Sequence, residues 1–160
     1  MTPRAAAVGS VVLLSGGMDS ATCLAIASRR EPPVRALTIV YGQRHVREVA
    51  RARSLARHYG ALEHQVVRLP VAALLPSSLT DPHRPSLRAG RRRSGTIPPT
   101  YVPARNTLFL ALALGYAESH GARSIYLGVN AVDYSGYPDC RPEFLRAFDR
   151  LARRATRVGV

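Results

Sequence analysis

The sequence predicts an α/β fold, a doubly wound parallel sheet with helices on both faces. Two observations carry that prediction. Short apolar, β-branched runs alternate along the chain with longer stretches of helical spacing, and strand–helix alternation buries a parallel sheet between two helix layers. The 160 residues are 46% hydrophobic and 6% aromatic, enough apolar material for one core of ordinary domain size. Right-handed crossovers then leave few topologies.

The elements follow in order. Residues 1–9 read as a loose leader of Ala, Pro and Gly, and residues 10–14 as a short buried strand. Ser15-Gly16-Gly17 breaks the strand, and residues 18–28 carry helical spacing through Met18, Ala21, Cys23, Leu24 and Ile26. Glu31-Pro32-Pro33 stops that helix. A second strand is expected over 34–40, a helix over 44–59 ended by Gly60, and a weaker strand over 64–69. Residues 70–100 are rich in Pro, Ser, Gly and Arg and lack periodicity. They predict a helical piece over 71–75 and a mobile loop over 76–100, the usual nature of so long a loop. A helix over 106–120 ended by Gly121, a strand over 124–129, a polar loop over 130–140 and a helix over 142–154 complete the chain, with Pro142 in a first turn. The loops that carry unusual residues (15–20, 41–45 and 130–140) each follow a strand. All three therefore fall at the carboxyl edge of the sheet, where such folds hold ligands.

Charge narrows the chemistry further. The 23 basic side chains face 10 acidic ones, for a net charge of +13, and every one of the 23 is arginine. Without lysine there is no Walker A loop and no Schiff-base chemistry. The excess has two readings, arginine-for-lysine drift or a chain that handles polyanions through bidentate guanidinium contacts. The two cysteines, Cys23 and Cys140, suit a reducing cytoplasm and exclude a disulfide scaffold. No apolar run approaches the ~20 residues of a membrane span, and residues 11–14 are too short for a secretory signal.

The segment Ser15-Gly16-Gly17-Met18-Asp19-Ser20 joins a buried strand to a helix. Glycines let the backbone approach a ligand, and the helix start offers unpaired N–H groups with a partial positive charge, which favours phosphate. Ser15 and Ser20 add hydroxyl donors. Asp19 orients the loop or reaches a metal ion.

This motif resembles that of the PP-loop ATP pyrophosphatases, which cleave ATP between the α and β phosphates. Three further stretches are similar to the 7-cyano-7-deazaguanine synthases within that superfamily: Tyr41-Gly42-Gln43-Arg44-His45, Val102-Pro103-Ala104-Arg105-Asn106, and the long run from Gly128 to Arg141. The resemblance implies an adenine nucleotide alpha hydrolase-like, Rossmann-like fold forming one PP-loop nucleotide-binding domain over 1–160. It implies a carbon–nitrogen ligase that converts 7-carboxy-7-deazaguanine and ammonia to the nitrile, with ATP and Mg²⁺, through an adenylated carboxylate. The pathway would be queuosine biosynthesis.

Carried onto this sequence, the resemblance implies an ATP segment of Leu14, Ser15, Gly16, Gly17, Met18, Asp19, Ser20, Ala21, Thr22, Cys23 and Leu24. Arg105 is expected on phosphate or carboxylate, with a surface arginine near a helix cap as the alternative. Asp19, Ser20, Arg105 and His45 form the candidate catalytic set. Tyr41, Gln43 and Arg44 contact substrate or ATP, although Gln43 and His45 serve equally well as caps of the next helix. His45 is the one candidate proton carrier; the other histidines read as surface or helix-end residues. In the last loop, Asp133 and Asp139 are expected to accept from a guanine-like base and Tyr134 and Tyr137 to offer stacking faces. Asn130, Ser135 and Arg141 complete the substrate set, and Cys140 reads as a small buried thiol near a helix start.

The family pattern also contains a further strand and four cysteines that bind zinc, and these residues lack both. The sequence-level expectation is therefore a chain shortened at its C-terminus, with an exposed sheet edge and helix face. Small-molecule partners are expected, with a homo-oligomer compatible, no membrane association, and no nucleic acid, the +13 being ascribed to drift plus a nucleotide pocket. Two alternatives stay open: a tRNA-modifying PP-loop ATPase, which the charge favours, and a non-catalytic nucleotide-binding fragment.

Overall fold

A computed structural model describes residues 8–41, 46–70, 101–129, 137–157 and 160. Four strands, β1 (Ser10–Leu13), β2 (Val34–Val40), β3 (Glu63–Arg68) and β4 (Ser124–Leu127), form one sheet in the order β3-β2-β1-β4. Every pairing is parallel, with Ser10 opposite both Val34 and Ser124. Four helices flank it: α1 (Met18–Arg30), α2 (Val46–His58), α3 (Arg105–Ser119) and α4 (Pro142–Ala155). Apart from the helical piece over 71–75, each predicted strand and helix occurs, and where an end falls in the described residues it shifts by no more than two positions. The expected helical piece over 71–75 and loop over 76–100 lie outside them.

The alternation of side chains along β1 and β2 explains the double winding. Val11, Leu13, Leu37 and Ile39 face one side and meet Leu110, Ala113, Leu114 and Ala117 of α3, with Ala152 of α4. Val12, Leu14, Val34 and Ala36 face the other and meet Leu24 and Ala27 of α1 and Ala52 and Ala56 of α2. A strand buried on both faces is apolar along most of its length: Val11 and Val12 are both 0% exposed, and the buried hydroxyls of Ser10 and Thr38 are hydrogen-bonded. α2 and α3 end as predicted, at Gly60 and Gly121 in the left-handed region. In each case the next amide reaches back to a carbonyl of the last turn, Ala61 to Ala56 and Ala122 to Ala117, both at 2.9 Å. Among the described residues no helix is long and apolar enough to cross a membrane.

One polar contact crosses the sheet beneath the predicted phosphate loop. Thr38 Oγ1 donates to the Leu14 carbonyl at 2.6 Å, so the 2.7 Å contact with His64 must run from Nε2–H to the Thr38 oxygen. His64, read from sequence as a surface residue, is instead a half-buried strut on β3. Burial, and then the charge of Arg53, push its pKa below 6.5. The unfolded chain therefore takes up that proton first. Stability is full above pH 6.5 and declines as pH falls through the interval below it. Replacing His64 by glutamine, whose amide still donates to Thr38, is expected to flatten the decline below pH 6.5, read from urea unfolding midpoints.

Candidate active site

The chain leaves β1, turns through Ser15–Gly17 and enters α1, while β2 and β4 end alongside in Tyr41 and Gly128. Because β1's two neighbours receive their connections from opposite directions, a crevice opens at these carboxyl ends. It holds about 420 Å³ and is lined by residues of the predicted phosphate loop, by apolar groups such as Ile39, Phe109 and Leu127, and by Tyr41, Arg105, Tyr137 and Cys140.

The loop is held by its own serines. Ser20 is 4% exposed; its hydroxyl donates to the Gly17 carbonyl at 2.9 Å and accepts the Ser15 amide at 3.2 Å. With that proton committed, the 3.0 Å hydroxyl–hydroxyl contact runs from Ser15 to Ser20. Ser15 Oγ accepts the Gly17 amide at 3.3 Å. Both hydroxyls, expected as phosphate donors, thus serve here as struts. What the loop presents is the start of α1, whose N-cap Gly17 has no side chain to take the first amides. Gly16 has φ 86°, and a Cβ there would meet the Glu48 carbonyl, the Ala52 amide and Arg51. That packing brings Glu48, in the first turn of α2, to the wall of the crevice. Across from it, a Cβ on Gly128 would lie 2.8 Å from the Asp19 carbonyl carbon and 2.9 Å from the Ser20 amide. Only glycine lets β4 end so close to the loop.

The opposite wall is built on the start of α3. Arg105 is half-buried, not on the surface; Nη1 donates to the Tyr41 hydroxyl at 3.3 Å and the guanidinium carbon lies 5.9 Å from the Tyr41 ring centre. Burial alone would lower its pKa, but the Tyr41 hydroxyl and the Asp139 carboxylate outweigh that and leave it raised. Arg105 stays charged. Tyr41 is itself fixed by an edge contact with Phe109, ring centres 5.2 Å apart. Tyr137 faces the crevice with its ring 5.4 Å from that of Tyr101.

Of the predicted ATP segment, Leu14, Ser15, Gly17, Asp19 and Ser20 line the crevice. Met18 is 83% exposed and Leu24 0%, while Cys23 packs among the core residues under α1, where burial and then Asp19 raise its thiol pKa. Thr22 Oγ1 donates to the Met18 carbonyl. These four, with Gly16 and Ala21, shape the helix and do not line the crevice, because a helix turns most of its side chains away from whatever lies at its end. Of the predicted substrate set, Tyr41 and Tyr137 line it. Asp139 does not: it is 5% exposed and bonded to Asn106. Arg141 is exposed at the N-cap of α4 and outside the lining. Gln43, Arg44, His45, Asn130, Asp133, Tyr134 and Ser135 lie outside the described residues. Sequence reasoning missed Glu48, Asn106 and Phe109. Glu48 had a signal, as the single acid in a helix with four arginines.

Oxygen donors suited to Mg²⁺ are present on the crevice in Asp19 and Glu48, and Mg²⁺ is commonly held by one or two carboxylates together with phosphate oxygens. Zinc fits less well. Cys23 and Cys140 sit on different elements, and among the described residues no three His, Cys, Asp or Glu groups come together as a metal site.

A family model described as queuosine biosynthesis protein QueC matches residues 9–160. A 7-cyano-7-deazaguanine synthase of Anaeromyxobacter sp. (strain Fw109-5) is 59% identical over 153 residues, covering 94% of this chain and 66% of the relative. Proteins of the same name from Methylococcus capsulatus and Legionella pneumophila are 56% and 53% identical over 151 and 152 residues. They too are matched over 94% of this chain, which spans 66% and 65% of their lengths.

Proposed function

Because the chain belongs to the QueC family of queuosine biosynthesis proteins, we propose that it acts in the cytoplasm as an ATP-dependent carbon–nitrogen ligase. Its substrates would be 7-carboxy-7-deazaguanine and ammonia, and its product 7-cyano-7-deazaguanine. The observation that supports this reading best is the crevice itself: a helix N-terminus on one wall and a half-buried, charged arginine on the other, above an apolar floor.

The chemistry brings two anions together. The substrate carboxylate attacks the α-phosphorus of ATP, pyrophosphate leaves, and ammonia then displaces AMP to give the amide. A second adenylation, on the amide oxygen, lets that oxygen depart with AMP as the nitrile forms. Each attack needs neutralisation and alignment more than covalent help. The α1 N-terminus would receive phosphate oxygens on exposed amides, and Arg105 would offset the charge where carboxylate and α-phosphate meet. Ile39, Phe109 and Leu127 would keep water from the adenylate. Asp19 and Glu48, both on the crevice wall, would hold Mg²⁺, which would supply charge to offset that of the phosphates.

The test is ATP–pyrophosphate exchange by the purified chain with Mg²⁺, in the presence and absence of 7-carboxy-7-deazaguanine, followed by mass-spectrometric search for amide and nitrile. Exchange that needs the deazaguanine is expected. Exchange that needs tRNA instead, or no exchange, overturns the reading.

A further inference from the structure

α3 begins without a cap of its own. Its N-cap is Ala104, which has no polar side chain and lies in the left-handed region at φ 51°, where a residue with a Cβ is disfavoured. One neighbouring and one distant group hold the turn. The Tyr101 hydroxyl accepts the Ala104 amide at 3.2 Å. Asp139, on a short 3₁₀ turn over Pro138–Cys140, accepts the Asn106 amide at Oδ2 at 2.8 Å. That amide is the second of the helix, the one an Asp or Ser at the N-cap would ordinarily take. Asn106 returns the contact: its Nδ2 donates to the Asp139 carbonyl at 2.9 Å and to Cys140 Sγ at 3.2 Å. Its Oδ1 accepts from Arg105 Nε at 3.4 Å.

Asp139, Asn106, Arg105 and Tyr41 therefore form one chain of contacts from the 3₁₀ turn to the end of β2. Asp139 does not line the crevice, and its Oδ2 is committed to the helix start. Resting on the ligase reading above, we infer that Asp139 is a positioning residue: by capping α3 through Asn106 it aims the Arg105 guanidinium into the crevice, and it does not read the substrate base. The carboxylate also adds its charge to a helix start, where a negative group is favourable.

The test compares the unmodified chain with Asp139→Ala, Asp139→Asn, Arg105→Ala and the double variant Asp139→Ala/Arg105→Ala. Steady-state kinetics and ATP affinity by calorimetry are measured for each, with circular dichroism to verify folding. Alanine is expected to lower kcat roughly 30-fold and weaken ATP binding about tenfold, with KM for the deazaguanine changed less than about twofold. Asparagine, whose Oδ1 still accepts the Asn106 amide, should retain roughly half of kcat or more. In the Arg105→Ala background, Asp139→Ala should add nothing, because both act through one group. A rise in KM for the deazaguanine in the asparagine variant, or additive effects in the double variant, overturns the proposal. Should the alanine variant fail to fold, the asparagine variant decides. A chain that shows the coupling in ATP affinity yet never turns over the deazaguanine removes the ligase reading and leaves the positioning role standing. A chain that binds no ATP removes both.

Discussion

Gly16→Ala is expected to unfold the loop–helix junction and abolish ATP binding, at a stability cost of about 2–5 kcal/mol. Two separate terms add. The backbone at Gly16 has φ 86°, a region that costs a residue with a Cβ about 1–2 kcal/mol. The new Cβ would also press on the Glu48 carbonyl and lie 3.1 Å from the Ala52 amide. Both are backbone atoms of α2's first turns, which cannot swing aside as a flexible side chain would, so overpacking adds about 1–3 kcal/mol. The only relief is for α2 to back away from the loop, and that opens the crevice wall holding Glu48. Urea unfolding should show a lower midpoint with an unchanged slope, and calorimetry should show no ATP binding at concentrations that saturate the unmodified chain. A variant that melts normally and binds ATP would show that the loop's conformation is not what the nucleotide needs.

Arg105→Ala is expected to lower kcat/KM by about 100- to 1000-fold with the fold intact, the usual loss when one preorganised charge at a reacting centre is removed. The guanidinium is held by the Tyr41 hydroxyl and ring, so it does not have to be recruited during reaction. Lysine should recover only part of the loss, because an ammonium lacks the planar fork that can face the ring and donate at once. Stability should change by less than about 1 kcal/mol in either variant, since both acceptors of Arg105, on Tyr41 and Asn106, belong to residues that line the crevice and its bond to Asn106 is long at 3.4 Å. The raised pKa of Arg105 means that no step in the pH–rate profile belongs to it. Substrate-dependent pyrophosphate exchange measures the effect directly. Retention of more than about a third of the activity by Arg105→Ala would remove it from the catalytic set.

The elements and the double winding were legible in the sequence because they depend on local pattern. Apolar runs of strand length, helical spacing and the stops Gly60 and Gly121 survive into the structure with end shifts of a residue or two. Ser15-Gly16-Gly17 at a strand end marked the crevice for the same reason. The roles of single polar side chains were less legible. Asp139 read as a base acceptor because an acid in a loop near a presumed site looks available, and it is spent on an amide 33 positions away. His64 read as a surface residue and is tied across the sheet to Thr38, 26 positions away. In the predicted phosphate loop, Ser15 and Ser20 read as ligand donors, yet the Ser15 proton goes to Ser20 and the Ser20 proton to the Gly17 carbonyl.

By itself, then, the sequence determined the fold class, the strand edge that carries the site and the absence of lysine chemistry, since composition and periodicity are properties of neighbouring residues. Tertiary structure alone decided which polar groups face the crevice and which hold the frame around it. A hydrogen-bonding group pairs with whatever the fold brings within about 3 Å, and for His64, Asp139 and Arg105 that partner lies 26, 33 and 64 positions away.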